Sequence, residues 1–298
     1  MAQLQIVDAH HHLFDLDRAF YPWLSPRPVP PSISGDVTPI AKPYLIDDYR
    51  AEFGRYDVIK SVHVEAGYDP AAPVAETEWL QGIADRHGYP HAIVAKIPLQ
   101  SENAEELMAR HKAFRNVRGV RHMLNWHDDP KKRFTTENYL DNPAWVRNYA
   151  RLSGHGLSFD LQIYPGQIKQ AAALVRDNDK IPVVIDHSGM PIDRSADDIA
   201  RWRDGLKALA ALPHVSMKIS GLGMCDHRWT VDSIRPFVLT MIDIFGPRRC
   251  MFGSNFPVDK LYSRFETLFG AFDSITAGFS DGERADMFVH TAERFYRI

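Results

Sequence analysis

Short apolar runs recur along the chain and predict buried β-strands. Each run has five to seven residues, and most are rich in β-branched or large apolar side chains without strict alternation of apolar and polar positions. Such runs are typical of parallel strands that are buried on both faces of a sheet. Eight of them are spread along the chain, at residues 4–8, 59–65, 91–97, 117–123, 157–163, 183–187, 215–220 and 250–254.

Apolar side chains with helical spacing lie between the later runs and predict helices there. Many of these side chains are aromatic, and we interpret them as helix faces that pack on the sheet. Pro143 near the start of one predicted helix and Gly246 just past the end of another are residues that mark helix boundaries. The three clearest stripes are Ile199, Trp202, Leu206 and Leu209; Ile234, Phe237, Val238, Met241, Ile242 and Phe245; and Phe265, Leu268, Phe269 and Phe272.

Eight strands that alternate with helices over 298 residues are the pattern of an α/β protein with a (β/α)8 TIM barrel fold, here as a single domain over residues 1–298. Segment 15–44 departs from this regularity, since it holds seven prolines, Pro31 among them, together with Tyr21 and Trp23. Nothing before the segment is large enough to be a domain that a linker would connect. We therefore interpret it as a long loop after strand 1 that covers the barrel mouth.

The amino-acid composition limits the classes of molecule that we expect this protein to bind and the compartments in which we expect it. The formal net charge is −3, which gives no electrostatic reason to expect nucleic acid or an anionic membrane. The two cysteines, Cys225 and Cys250, imply no disulfide framework and suit a reducing compartment. We find no secretory signal and no run long enough to span a membrane. The expectation is a cytoplasmic protein with a small-molecule partner, and a homo-oligomer stays open.

Histidines cluster at the end of the first predicted strand, in Asp8-Ala9-His10-His11-His12. Side chains alternate along a strand, so Asp8, His10 and His12 are expected on one face and His11 on the other. Positions i and i+2 are about 6.5–7 Å apart along a strand, which lets two imidazoles approach one metal ion or one anion.

Other polar residues end most of the remaining predicted strands, and barrel active sites lie at the carboxyl ends of the strands. Because so many of these residues fall at strand ends, we predict that they share one active site. They are Glu65, Arg121, His122, Gln162, Asp186, His187, Lys218, Ser220 and Asn255, and the loop after strand 7 adds Asp226, His227 and Trp229.

The segments VDAHHH, VIDHSGMP and MFGSNFPVD, in this order, resemble the amidohydrolase superfamily. More narrowly, they are similar to its amidohydrolase-2 branch, which contains sugar-acid lactonases and 2-pyrone-4,6-dicarboxylate lactonase. The resemblance extends over nearly the whole chain. It implies a (β/α)8 barrel that hydrolyses a small carbonyl compound, with His10 and His12 as the first-strand histidine pair and His187 as the later-strand histidine.

Asn255 stands where the resembled family usually has Asp. A neutral amide is a weak metal ligand and cannot serve as a base. His10, His12 and His187 could still hold one divalent metal, zinc by preference, but members of the lactonase branch also work without a metal, so the cofactor is either none or one such ion. If no metal is present, the general base must be another group, and Asp259, Asp226, Glu65 and His227 are the candidates.

The predicted activity is hydrolysis of a lactone, either of a sugar acid or of a dicarboxylate, by attack of water. The chain has no Gly-x-Ser-x-Gly elbow for a serine nucleophile. The alternatives are a metal-dependent decarboxylase of an unsaturated dicarboxylate and a non-catalytic small-molecule binding barrel. Predicted catalytic residues are His10, His12, His187, Asp226, His227 and Asp259; predicted substrate contacts are Tyr21, Trp23, Glu65, Arg121, His122, Gln162, Trp229 and Asn255.

Overall fold

The computed structural model describes residues 3–30 and 32–298, so Pro31 of the proline-rich segment lies outside the described residues. Eight parallel strands form one sheet in the order of the chain, which confirms the predicted barrel. All eight predicted strands are present. They are β1 (Gln5–His11), β2 (Asp57–Val64), β3 (Ala92–Lys96), β4 (Val117–Arg121), β5 (Ser158–Leu161), β6 (Val183–Ile185), β7 (Val215–Ile219) and β8 (Cys250–Phe252).

The barrel closes between β1 and the residues that follow β8. The backbone N–H of Asn255 donates to the carbonyl of His10 at 2.7 Å, and that of His12 donates to the carbonyl of Phe256, also at 2.7 Å. The buried Asp8 carboxylate reinforces the closure, since it accepts from the Ser254 backbone N–H at 2.7 Å and from the Ser254 hydroxyl at 2.6 Å. The two ends of the sheet are thus joined at the level of the predicted site.

Helices surround the sheet, and their ends follow the sequence signals. Asn142 caps the helix that begins at Pro143, and the helix that ends at Phe245 is followed by Gly246 with φ +75°. The three predicted apolar stripes lie in the helices Ala196–Ala210, Val231–Phe245 and Phe265–Ile275, with most of their members buried against the sheet. The helices are α1 (Ile46–Ala51), α2 (Ala75–His87), α3 (Ala104–Lys112), α4 (Pro143–Arg151), α5 (Ile168–Arg176), α6 (Ala196–Ala210), α7 (Leu222–Cys225), α8 (Val231–Phe245), α9 (Phe265–Ile275), α10 (Asp281–Ala285) and α11 (Thr291–Tyr296).

Short helical turns complete the connections between these elements. A π-helical turn, Asp286–His290, precedes α11. The 3-10 turns are Thr38–Ile40, Pro130–Lys132, Tyr139–Asp141, Leu152–His155, Pro165–Gln167, His187–Gly189, Pro247–Arg249 and Asp259–Leu261. Within residues 3–30 and 32–298, no helix is long and apolar enough to cross a bilayer.

Strand β1 is longer than predicted and does not alternate regularly. Its pairing with β2 shifts register between Asp8 and His11. As a result Asp8 and His11 both contact Tyr49, which donates its hydroxyl to Asp8 at 2.8 Å and stacks on the His11 ring at 4.0 Å. The expectation that Asp8 shares a face with His10 and His12 is therefore wrong, because an irregular pairing breaks the two-residue period of a strand.

Candidate active site

A cavity of about 360 Å³ lies at the carboxyl ends of the strands. The loop after β1 forms one wall of it, through Pro22, Trp23, Pro30 and residues 32–34. Trp23 is held there by a hydrogen bond from its indole N–H to the carbonyl of Ala66 at 2.7 Å. The proline-rich segment thus covers the barrel mouth as predicted. The polar and charged side chains of the wall come mainly from strand ends, and include His12, Lys96, Arg121, Lys131, Arg133, Gln162, His187 and Asn255.

The three predicted histidines lie together in the structure. The ring centroid of His10 is 5.0 Å from that of His12 and 4.4 Å from that of His187. His12 and His187 line the cavity, whereas His10 is fully buried beneath them. Burial lowers the pKa of His187 to about 3 and that of His10 well below its usual value, so both rings are neutral and keep a lone pair at physiological pH.

His12 and Asn255 face each other with two hydrogen-bond acceptors. The His12 Nδ1 lies 2.8 Å from the carbonyl of Val64, which can only accept, so the ring proton resides on Nδ1 and Nε2 carries a lone pair. That Nε2 is 3.2 Å from Asn255 Oδ1, while Asn255 Nδ2 donates to Asp259 Oδ2 at 2.5 Å. The lone pairs of His12 Nε2 and Asn255 Oδ1 repel each other at this distance. A proton or a cation beside them would relieve that repulsion.

A buried ion network lies under His10. It joins Lys218 and Asp186, which were predicted at the site from their strand ends, to Asp160 and Tyr296, which were not predicted there. The Lys218 ammonium is fully buried and contacts Asp160 at 2.5 Å, Asp186 at 3.2 Å and His10 Nδ1 at 3.3 Å. Tyr296 donates its hydroxyl to Asp160 at 2.8 Å. The available signal for Asp160 was its position inside a strand predicted to be buried on both faces, where charged residues occur only when they are paired.

The histidine cluster could hold a metal ion. Ligand atoms of His10, Asp186 and His187 lie within 4.8 Å of one another. His10 Nε2 is buried and has no hydrogen-bond partner among the described residues, so it offers a further lone pair. The residues present therefore fit a divalent cation. The structure groups Asp186 with His10 and His187, in place of the His12 of the sequence-based set, and the Lys218 ammonium already neutralises part of the charge of Asp186.

Arg121 is the fixed cation of the cavity wall. Its Nε donates to Glu65 Oε1 at 2.9 Å and its Nη1 donates to Gln162 Oε1 at 3.0 Å. The Glu65 carboxylate also accepts from the backbone N–H of Gly67 at 2.9 Å. Glu65 is thus engaged in positioning Arg121 and lies behind the wall, while Arg121 and Gln162 line the cavity.

Several predicted site residues lie away from the cavity. Asp226 is paired with Arg194 at 3.1 Å, and the exposed His227 stacks on Tyr262. His122 is buried and accepts from the Trp145 indole at 2.9 Å. The described cavity wall also lacks Tyr21, which is fully buried among aromatic rings, and Trp229. The structure does not bring these five to the site because each is held by packing or pairing elsewhere.

Asp259 lies directly behind Asn255. Its Oδ1 accepts from the backbone N–H of Gly223 at 3.0 Å, and its Oδ2 accepts from Asn255. Burial raises the pKa of Asp259 to about 7. Its contacts make Asp259 a residue that orients Asn255, because the amide stands between it and the cavity.

Backbone strain is concentrated at the same place. His187, Ser188 and Asn255 have φ values of +52°, +60° and +56°, in the left-handed region that non-glycine residues rarely adopt. Each such residue costs about 1–3 kcal/mol and persists only where the surroundings hold it. Here the strain turns His187 and Asn255 toward the cavity.

Comparisons with known proteins agree with this geometry. The sequence model of a family described as amidohydrolase matches residues 7–298. The chain is 42% identical over its full length to an uncharacterised protein, y4mH, of Sinorhizobium fredii. It is 27% identical to an L-fucono-1,5-lactonase of Burkholderia multivorans, over 98% of this chain and 96% of that protein. It is also similar to the crystal structure of an amidohydrolase from Burkholderia multivorans with bound zinc, with a TM-score of 0.83, 26% identity and 99% of both chains covered.

Proposed function

The chain belongs to the amidohydrolase family, and from this premise we propose that it hydrolyses a lactone, the cyclic ester of a small hydroxy acid. One observation supports this most: a neutral imidazole acceptor, His12 Nε2, and a rigid guanidinium, Arg121, line the same 360 Å³ cavity. Ester hydrolysis needs these two functions, a group that takes a proton from water and a donor for the oxyanion. Relatives named L-fucono-1,5-lactonase add to the proposal.

Arg121 is the group that would bind the lactone carbonyl. Glu65 and Gln162 hold its Nε and Nη1 in fixed positions, so little reorganisation is needed when charge develops on the carbonyl oxygen. Gln162 and His187 line the same wall. The tetrahedral oxyanion would therefore form beside a cation that is already oriented.

His12 is the group that would accept the proton of water. As the water oxygen bonds to the carbonyl carbon, a proton passes to His12 Nε2, whose lone pair is directed by the bond from Nδ1 to Val64. The ring C–O bond then breaks, and the departing ring oxygen takes that proton from His12. The product is the open hydroxy acid, and His12 returns to its neutral form.

We also propose a divalent metal at His10, Asp186 and His187, with zinc as the first ion to test, because a similar amidohydrolase was crystallised with zinc. A bound metal would supply Lewis-acid polarisation of the carbonyl. Lys218 and Asp160 would keep Asp186 and His10 in place beneath it.

A substrate panel tests the proposed function. Purified protein, with and without added Zn²⁺, is mixed with neutral and acidic sugar lactones, 2-pyrone carboxylates and acyl amides, and acid release is followed with a pH indicator. We expect hydrolysis of at least one lactone and of no amide. Carbon dioxide release from an unsaturated dicarboxylate, or binding without turnover of any compound, would overturn the proposal.

A further inference from the structure

The cavity wall is strongly cationic. Among the described residues that line it, four are Lys or Arg, and none is Asp or Glu. On this basis we propose that the substrate carries a carboxylate besides its lactone ring, and that Lys96, Lys131 and Arg133 form the subsite for that carboxylate. The inference rests on the proposed lactonase function and adds the substrate class: an anionic lactone.

The three cations differ from Arg121, whose charge is balanced by Glu65 at 2.9 Å. In the described part of the chain, no carboxylate forms an ion pair with Lys96, Lys131 or Arg133, although the neighbouring Lys132 is paired with Asp193 at 2.7 Å. Uncompensated cations around a partly enclosed space repel each other and raise the local concentration of anions. A carboxylate in the cavity would relieve that repulsion.

Arg133 is oriented for an anion by neutral groups. Its guanidinium lies over the Trp126 ring at 3.8 Å, and it donates to the carbonyl oxygens of His127 at 2.6 Å and Asp128 at 2.9 Å. These contacts fix the plane of the guanidinium without cancelling its charge. A fixed guanidinium can bind a carboxylate through two parallel hydrogen bonds. Ion pairs with this bidentate geometry are the strongest of the common ion pairs.

The subsite lies beside Arg121, since Lys96 and Arg121 are partners in the ladder between β3 and β4, but on other elements than His12 and Asn255. Lys96 ends β3, and Lys131 and Arg133 belong to the segment after β4, whereas His12 and Asn255 come from β1 and from the residues after β8. The carboxylate that hydrolysis creates would form beside His12 and Arg121. The three cations are complementary in charge to a second carboxylate, one that the substrate already carries before the reaction. L-fucono-1,5-lactone is uncharged, so we expect this chain to differ in substrate from the relatives that are named for it.

A matched pair of compounds tests the subsite. D-glucono-1,4-lactone and D-glucaro-1,4-lactone share one ring, and only the second has a carboxylate at carbon 6. We measure kcat/KM for both lactones and, by isothermal titration, the binding of their products D-gluconate and D-glucarate. The wild type should bind D-glucarate about tenfold more tightly than D-gluconate, as expected for an added charge-assisted contact, and any lactone turnover should favour the acidic lactone.

Three variants test which lysines cause the preference for D-glucarate. Lys96→Met and Lys131→Met should each remove most of the preference for D-glucarate, while Lys132→Met, one position away but paired with Asp193, should keep it. Equal binding of the two products, binding of neither, or the same loss in all three variants would overturn the subsite. Selective binding of D-glucarate without hydrolysis of any lactone would instead reject the proposed lactonase and leave the subsite standing.

Discussion

His12 holds its lone pair in place through a single backbone contact, and this makes it the residue whose loss should affect the reaction most. With Nδ1 bonded to Val64, replacement by Ala removes both the acceptor and its orientation. We expect His12→Ala to lower kcat for the best lactone by about 10²–10⁴-fold. The matched control is His227→Ala, which removes an exposed histidine outside the cavity wall and should stay within a few-fold of the wild type. Equal losses in both variants, with intact circular dichroism, would contradict this assignment.

Asn255 supplies an amide where a carboxylate would bind a cation more strongly. In Asn255→Asp, two carboxylates would meet at the place where Asn255 Nδ2 now donates to Asp259 at 2.5 Å, opposite the lone pair of His12. We expect this variant to retain more zinc than the wild type after dialysis, measured by elemental analysis, because the new carboxylate faces His12, whose ring centroid is 5.0 Å from that of the proposed metal ligand His10. A wild type that keeps a full equivalent of zinc through dialysis would show that Asn255 does not limit metal binding.

The residues that could be predicted from the sequence are those at strand ends. His10, His12, His187 and Arg121 follow from apolar runs that stop at a polar residue, because the fold carries all strand ends to one rim. Lys131 and Arg133 lie in an irregular segment, and no periodicity shows which side chains of such a segment face a cavity. The same limit applies to Asp226, which the sequence placed in the site and the structure pairs with Arg194.

At the scale of single elements, helix α2 carries an ionisable group whose charge opposes folding. Glu76 is buried, and burial together with the Glu65 carboxylate raises its pKa from 4.5 to about 8. Between these values the folded protein holds a proton that the unfolded chain has released, so stability is lost as pH rises from about 4.5 to about 8.

The variant Glu76→Gln should remove the part of the pH dependence of stability that comes from Glu76. We expect its stability relative to the wild type to increase by up to about 1.4 kcal/mol per pH unit across this window. Urea unfolding at several pH values measures it. A stability difference that does not change with pH would mean that Glu76 ionises in the folded protein as it does in water.

Boundaries of elements were less predictable than their existence. Pro143 and Gly246 marked true helix ends because each has a backbone preference that acts locally. The end of β1 was misplaced because the shift in its pairing with β2 depends on the neighbouring strand, and a single segment does not contain that information.

At the scale of the whole molecule, Lys218 ties several elements together through charge. It reaches from β7 to Asp160 on β5, to Asp186 after β6 and to His10 on β1. Lys218→Met would leave two buried carboxylates without their cation, and we expect it to lower the free energy of unfolding by about 3–5 kcal/mol. In Lys132→Met, which breaks a partly exposed pair, the loss should be under about 1 kcal/mol.

A second substitution tests whether uncompensated charge causes the loss of stability in Lys218→Met. Adding Asp160→Asn to Lys218→Met removes one of the uncompensated charges and should restore part of the lost stability in urea unfolding. If the double variant is no more stable than Lys218→Met, the loss comes from packing of the lysine chain and not from its charge.

The closure of the barrel between β1 and the residues after β8 determines when activity appears during folding. His12 and Asn255 are 243 positions apart in the chain, yet they face each other across this closure, whereas the other strands pair with their neighbours in sequence. Contacts between distant parts of a chain form late. During refolding, lactone hydrolysis should therefore return only after the backbone circular dichroism has largely recovered, and turnover would report the moment at which the ring of strands becomes complete.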